Sequence, residues 1–367
     1  MTQRSSTSQR KMYLMIFIIM LTFSTLFTAC NPNTSLNGTS FGTGGTSSNL
    51  ENTSIGPGTQ GVQVFVEPTA GESVITSAID EAKQSIWLEI YLLTDTKVIR
   101  ALEDAAHRGL DVRVMLEPHP YRVGTALPRR TLDILRAAGV KAQPTSSSFR
   151  LTHEKGMIID GQTAYIMTCN FTRSALGASS ITINREYGII DNNIQDVQAI
   201  SAIFNADWNH TNAQYTNPNL VVSPDNSRNA FTSLINGAHK TLAIEAEEMQ
   251  DSQIEQALVN AAQRGVQVRV ILPAPSGSSS KNAGDDNNSQ GISTIKQAGV
   301  QVKEDSQLYM HAKIIIADGQ EAFVGSENIS TASLDHNREL GLIVSDQNVL
   351  NTLQQTFQQD WGVSQAA

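Results

Sequence analysis

The stretch His153-Glu154-Lys155-Gly156-Met157-Ile158-Ile159-Asp160 has a second copy, His311-Ala312-Lys313-Ile314-Ile315-Ile316-Ala317-Asp318, and both read His-x-Lys-x-x-x-x-Asp. The echo runs on. Gly161 and Gly319 follow the Asp, Asn170 and Asn328 lie ten positions past it, and each half then carries Asn-Arg-Glu, as Asn184-Arg185-Glu186 and Asn337-Arg338-Glu339. With only seven His in the chain, one such match is expected by chance about 0.01 times. Two with the same sequel mark a duplication.

Working outward, residues 68–118 align with 224–273, so that AIDEAKQSIWLEIYLLTD meets INGAHKTLAIEAEEMQD and ALEDAAHRGLDVRVMLEP meets ALVNAAQRGVQVRVILPA. Each half carries a β-α-β-α-β pattern. In the first, Val62 to Val66 alternates as a strand and Glu72 to Lys83 has helical spacing. Ser85 to Leu92 is an apolar strand, Val98 to Arg108 a helix ending at Gly109, and Asp111 to Leu116 a further strand. This alternation predicts an α/β lobe with a largely parallel core, repeated from Leu220.

The motifs themselves predict hairpins. His153 to Ile159 and Thr163 to Thr168 flank Asp160-Gly161, and His311 to Ala317 and Glu321 to Gly325 flank Asp318-Gly319, a pair suited to a tight turn with positive φ. Side chains alternate along a strand, so His153 shares a face with Lys155 and His311 with Lys313. Asp160 and Asp318 have the opposite parity. They are kept among the catalytic candidates, but a turn-forming role is the better reading of their position. Another carboxylate must then hold each imidazole, and Glu186 and Glu339, just beyond the hairpins, are the candidates. Asn170 and Asn328 sit where an amide can donate to a phosphate oxygen. The halves differ here: Gly325-Ser326-Glu327-Asn328 faces Met167-Thr168-Cys169-Asn170. Met in place of Gly leaves the first backbone open, and Cys169 reads as a small buried residue rather than a reactive thiol.

Two His-x-Lys-x-x-x-x-Asp motifs, each followed by an Asn, resemble the signature of the phospholipase D superfamily, over roughly residues 61–363. The resemblance implies two duplicated phospholipase D-like lobes, each a mixed β-sheet flanked by helices, related by a pseudo-twofold axis, with one active site at their interface. It also implies that Glu186 and Glu339 partner the histidines, that His153 is the nucleophile and that His311 is the acid/base.

The chemistry fits these residue types. A phosphodiester needs charge neutralisation and an in-line nucleophile; two Lys and two Asn supply the first. One imidazole can attack phosphorus while the other protonates the leaving alkoxide and then activates an acceptor. Imidazole suits both roles because its ordinary pKa is near neutrality. No metal or other cofactor is expected, since His107, His119, His210, His239 and His336 show no zinc-ligand spacing. Pro118 to Arg130, with His119, Arg122, Arg129 and Arg130, and the Gly/Ser/Asn-rich Ala274 to Gln290 are the loops expected to shape specificity.

The N-terminus reads separately. Arg4, Arg10 and Lys11 precede an apolar run from Met12 to Phe27, an export signal too short for a comfortable membrane span. Leu26-Phe27-Thr28-Ala29-Cys30 resembles a bacterial lipobox, with Phe27 departing from its usual Leu, so Cys30 is the expected lipidation site. Residues 31–61 are Asn-, Thr-, Ser- and Gly-rich and predict a flexible tether. The lobes are then 62–215 and 216–367. Cys30 and Cys169 are the only cysteines, so no intrachain disulfide is expected. The formal charge of −9 argues against nucleic acid as partner.

These features favour an exported, lipid-anchored phospholipase D on the extracytoplasmic face of the cell membrane, hydrolysing glycerophospholipids. Plain secretion is the alternative to the anchor. The alternatives in function are a cardiolipin synthase-like phosphatidyltransferase, a metal-independent nuclease, and a non-catalytic binder of anionic ligands. The oligomeric state is open, with a monomer as the expectation.

Overall fold

The computed structural model describes residues 55–275 and 288–367. The export signal with Cys30, the tether up to residue 54, and residues 276–287 of the second specificity loop lie outside the described residues. In the first half the order is β1 (Gln63–Glu67), α1 (Ser73–Glu81), β2 (Ser85–Ile90), α2 (Thr96–His107), β3 (Asp111–Leu116), α3 (Ala126–Ala137), β4 (Lys141–Pro144), β5 (Lys155–Ile159), β6 (Thr163–Met167), β7 (Asn184–Asp191) and α4 (Ile194–Trp208). The second half has β8 (Leu220–Ser223), α5 (Ser227–Gly237), β9 (Thr241–Ala246), β10 (Met249–Gln250), α6 (Ser252–Gln263), β11 (Gln267–Pro273), α7 (Ser289–Gln297), β12 (Gln301–Asp305) and β13 (Tyr309–Met310). It continues with β14 (Lys313–Ala317), β15 (Glu321–Gly325), β16 (Ile329–Ser330), α8 (Thr331–Asp335), β17 (Glu339–Val344), α9 (Gln347–Val363) and β18 (Gln365–Ala366).

Each half builds one mixed sheet, in the orders β1-β7-β6-β5-β2-β3-β4 and β18-β12-β11-β9-β14-β15-β17-β8. The expectation of a largely parallel core is corrected: along these orders β2-β3-β4 and β9-β11-β12 run parallel and the other neighbours antiparallel, with β13-β7 and β10-β16 as short parallel pairs. The motif hairpins β5-β6 and β14-β15 insert antiparallel beside them. Helical crossovers make the parallel portion and tight Asp-Gly turns make the rest.

The motif strands are apolar on both sides because both faces are covered. Ile158 of β5 and Ile314 and Ile316 of β14 face a central core shared by both halves. Met157 and Ile159 face a core confined to the first half, and Ile315 and Ala317 one confined to the second. Strand parity thus divides a single run between two cores.

Residues 55–61, assigned to the tether from composition, belong to the fold. Thr59 is buried, pairs with Val344 and donates its Oγ1 to Asp196 at 2.7 Å. Hydrogen bonds to fixed partners here outweigh a composition that has little to bury.

Asp160 and Asp318 require a correction to their place among the catalytic candidates. Both adopt positive φ, at 55° and 53°, each followed by a positive-φ Gly, as a two-residue hairpin turn demands. Their carboxylates accept backbone amides instead of facing substrate: Asp160 from Lys83, Gln84 and Ser85, and Asp318 from His239, Lys240 and Thr241. Each ties the hairpin to the start of the neighbouring strand, β2 or β9.

The halves are fastened by buried ion pairs that exchange partners. Arg185 of β7 holds Asp360 of α9 bidentately, at 2.6 and 2.8 Å. Arg338, just before β17, reaches Asp207 of α4, with Nε 2.8 Å from Oδ2 and Nη2 donating to Oδ1 at 3.1 Å. All four are buried. The two arginines also donate to main-chain carbonyls, of Glu67 and Ser223, which offsets part of the cost of burying them.

Two outcomes are expected. Asp360→Ala strands Arg185 and lowers unfolding free energy in urea by about 3–5 kcal/mol, whereas Arg185→Met combined with Asp360→Leu loses less than either single change. Asp160→Ala frees three backbone donors and costs about 1–3 kcal/mol; turnover of the folded enzyme stays within about twofold, and a proportional loss of turnover instead would return this Asp to the site.

Candidate active site

Each motif His sits just before its strand, in a segment whose backbone pairs with the opposite half. His153 N donates to the carbonyl of Arg338 at 2.8 Å, and Thr152 bridges Arg338. In the mirror arrangement β13, immediately before His311, pairs with β7 in the register Tyr309 to Asn184 and Met310 to Arg185. The register brings each imidazole to the Glu of the other half. His153 Nδ1 lies 3.0 Å from Glu339 Oε2, and His311 Nδ1 lies 2.8 Å from Glu186 Oε2. The sequence singled out all four residues but left their pairing open.

The two glutamates are wholly buried and held by further donors. Thr168 and Asn184 donate to Glu186 at 2.6 and 2.9 Å, and Ser333 and Asn337 to Glu339 at 2.8 and 3.2 Å. Burial opposes ionisation of Glu339, but His153, Lys155 and the Ser333 hydroxyl together outweigh this and hold the carboxyl below its usual range. A carboxylate on Nδ1 fixes the ring and turns Nε2 toward the cleft.

That cleft, of about 610 Å³, is lined by both His153 and His311, by Asn170 and Asn328, and by Tyr91 and Glu247. Lys155 and Lys313 lie buried beside the motif histidines, each Nζ anchored on the carbonyl of its own motif His at 2.5 and 2.6 Å. Burial pulls the Lys155 ammonium down to about 8. Burial also lowers His153, aided by the Lys155 charge and opposed by Glu339. The histidines, lysines and asparagines therefore converge, and Asp160 and Asp318 stand apart in their turns.

The substitution of Met167 for Gly325 is explained by what lies beside it. A Cβ on Gly325 would meet Glu327 Oε2 at 2.6 Å and the Gly341 Cα at 2.4 Å. The first half has Cys169 where the second has Glu327, so Met167 fills the space that Glu327 takes. Both Met167 and Cys169 are fully buried, and burial pushes the Cys169 thiol well up, which favours the packing reading over a reactive one.

Of the first specificity loop, Tyr121 and Arg122 line the cleft, joined by Arg150. Arg129 and Arg130 do not; they lie in α3, which starts at Ala126, and line a separate surface groove. Sequence reasoning missed Asp207, Asp360, Tyr91 and Glu247. The first two had a signal: Asp207-Trp208 and Asp360-Trp361 repeat at the same interval as Arg185 and Arg338. Behind Arg338, Glu89 and Glu154 join Asp207 in a buried carboxylate cluster. Burial and the charge of Asp207 push Glu154 up to about 8, so it holds its proton at neutral pH. Among the described residues no helix is long and apolar enough to cross a membrane.

Comparison with known proteins agrees with this geometry. A family model described as cardiolipin synthase, PLD-like domain, matches residues 75–208 and again 231–361. The chain is 25% identical over 345 residues to the cardiolipin synthase of Listeria monocytogenes, covering 82% of this chain and 68% of that one. In solved structures, phosphatidylserine synthase from Haemophilus influenzae superposes with a TM-score of 0.66 at 14% identity, over 86% of this chain and 90% of that one. Polyphosphate kinase from Porphyromonas gingivalis gives 0.60 at 17% identity, over 81% and 46%. With both halves matched, the chain belongs to the cardiolipin synthase, PLD-like family of the phospholipase D superfamily.

Proposed function

We propose that this chain is a phosphatidyltransferase of the cardiolipin synthase kind, passing a phosphatidyl group through a phosphohistidine to the hydroxyl of a second phospholipid. The observation that carries the reading is the single cleft lined by two imidazoles, each with its Nδ1 held by a buried carboxylate of the opposite half. The sequence reading put hydrolysis first. The names of the relatives favour transfer, and hydrolysis is the same path with water as acceptor.

The pseudo-symmetric histidines differ in what faces their Nε2 atoms. Lys155 Nζ lies 3.0 Å from both His153 ring nitrogens, and burial together with the Lys155 charge holds His153 below the ordinary imidazole range, which favours the neutral ring that can attack. Glu247 Oε2 lies 3.4 Å from His311 Nε2. We assign His153 as the nucleophile and His311 as the acid, the order that the resemblance to the superfamily implies. His153 Nε2 attacks phosphorus, the bond from phosphorus to the head-group oxygen breaks, and that oxygen takes the proton from His311 Nε2. The acceptor hydroxyl then returns a proton to His311 and attacks phosphorus as the P–N bond breaks. Lys155, Lys313, Asn170 and Asn328 neutralise and orient the phosphoryl oxygens.

The N-terminal reading supports the same substrate class. The export signal and the Cys30 lipidation expected from the sequence would set the chain beside lipid on the extracytoplasmic face. The acidic net charge remains the argument against a nuclease.

Phosphatidylglycerol vesicles incubated with the full chain in EDTA are expected to yield cardiolipin and free glycerol by mass spectrometry. Phosphatidic acid alone would restore the hydrolase reading, and cleavage of plasmid DNA with inert vesicles would make it a nuclease. His311→Asn should lower kcat by about 10²–10⁴-fold while still trapping a phosphoenzyme that His153→Asn does not form. The pH profile of kcat/KM should fall as pH rises through about 8, where Lys155 loses its charge and with it the cradle. Its acid limb should lie below 6.5, because His153 is lowered from that value and attacks only when neutral. A profile flat to pH 10 would remove Lys155 from the cradle.

A further inference from the structure

The cleft is symmetric in its histidines, lysines and asparagines and asymmetric at one position. In the first half Ile90 pairs with Lys155 and the next residue is Tyr91; in the second Ala246 pairs with Lys313 and the next residue is Glu247. Register therefore makes Tyr91 and Glu247 equivalent. Tyr91 stands edge-on to the His153 ring, with centroids 4.6 Å apart. Glu247 instead places a carboxylate on the reacting groups. Its Oε2 accepts from Lys313 Nζ at 2.8 Å and from Asn328 Nδ2 at 3.3 Å, and lies 3.4 Å from His311 Nε2. Its Oε1 accepts from Tyr309 at 3.1 Å.

These donors are the ones a phosphoryl oxygen would use in the second half, so Glu247 Oε2 stands in for that oxygen. An arriving phosphate takes over Lys313 and Asn328. The carboxylate is then left beside His311 with its charge to be met by something else. In-line attack by His153 puts the head-group oxygen at His311, on the wall of the second half. That wall also carries Glu248 and Glu304. The opposite wall presents Arg122 and Arg150. The alcohol end of the substrate therefore meets the acidic side, where a cation is stabilised and a second anion is not.

We propose that Glu247 is a specificity-determining residue for the alcohol side of the reaction, selecting a head group that carries a protonated amine two carbons from the reacting oxygen, as an ethanolamine phospholipid does. The assignment rests on the two-histidine transfer reading above. Under it the ammonium takes the place of Lys313 as partner of Glu247 when the phosphate binds, and a neutral glycerol head group offers only hydroxyl donors there.

The test uses vesicles with equal mole fractions of phosphatidylethanolamine and phosphatidylglycerol, reading initial release of ethanolamine and of glycerol. The wild-type chain is expected to release ethanolamine at least tenfold faster. Glu247→Gln, and Glu247→Tyr, which repeats the residue of the first half, should bring the ratio below threefold. As a check needing no variant, free ethanolamine should inhibit the wild type at a tenfold lower concentration than ethylene glycol. A ratio that neither variant moves, equal loss of both activities, or equal inhibition by the two alcohols overturns the role of Glu247 and leaves the transfer reading standing. Release of neither head group by the wild type overturns the transfer reading, and this assignment with it.

Discussion

The hydrogen bond that each motif histidine makes with a glutamate of the opposite half is the constraint on which the rest of the molecule depends. His153 to Glu339 and His311 to Glu186 cross the boundary in both directions, so neither half alone orients its own imidazole. A lone lobe would hold a His without its carboxylate and a buried Glu without its counter-group. Both are costly in a low-dielectric interior. Assembly of the active site and docking of the halves are for this reason one event.

The Asn-Arg-Glu segments show how that crossing is held. In each, the Asn donates to the carboxylate two residues on, the Arg bridges to an Asp of the other half, and the Glu receives the other half's His. Three adjacent residues thus brace one site from three directions. The backbone pairing that precedes each His adds a fixed register. An imidazole that must present Nε2 to phosphorus needs this rigidity, since small errors in position cost much of the catalytic gain.

Duplication supplies a symmetric frame, and the reaction needs two unlike partners. The structure resolves this through neighbours of the motifs instead of the motifs themselves. Tyr91 and Glu247 occupy one position with different chemistry, and Lys155 lies against the His153 ring while Glu247 lies beside His311 Nε2. Met167 with Cys169 against Gly325 with Glu327 is the matching difference in packing, one large and one small residue exchanged for the reverse. Divergence has therefore gathered in the neighbours of the two histidines, while the motifs themselves are repeated.

Periodicity and repetition in the sequence determined much of this protein. The duplication, the strand and helix alternation around Ser85 to Leu116, the Asp-Gly hairpins and the set of His, Lys, Asn and Glu residues were all legible, because each depends on local spacing or on comparison of one half with the other. Parity alone was enough to move Asp160 and Asp318 toward the turns. What the sequence could not decide was everything that passes between the halves: which Glu holds which His, that Arg185 finds Asp360 and Arg338 finds Asp207, that the hairpins enter the sheets antiparallel beside the parallel strands, and that Glu247 lies on Lys313. Those contacts join residues far apart in the chain, and only the packing of two sheets through a shared core fixes their distances and charges.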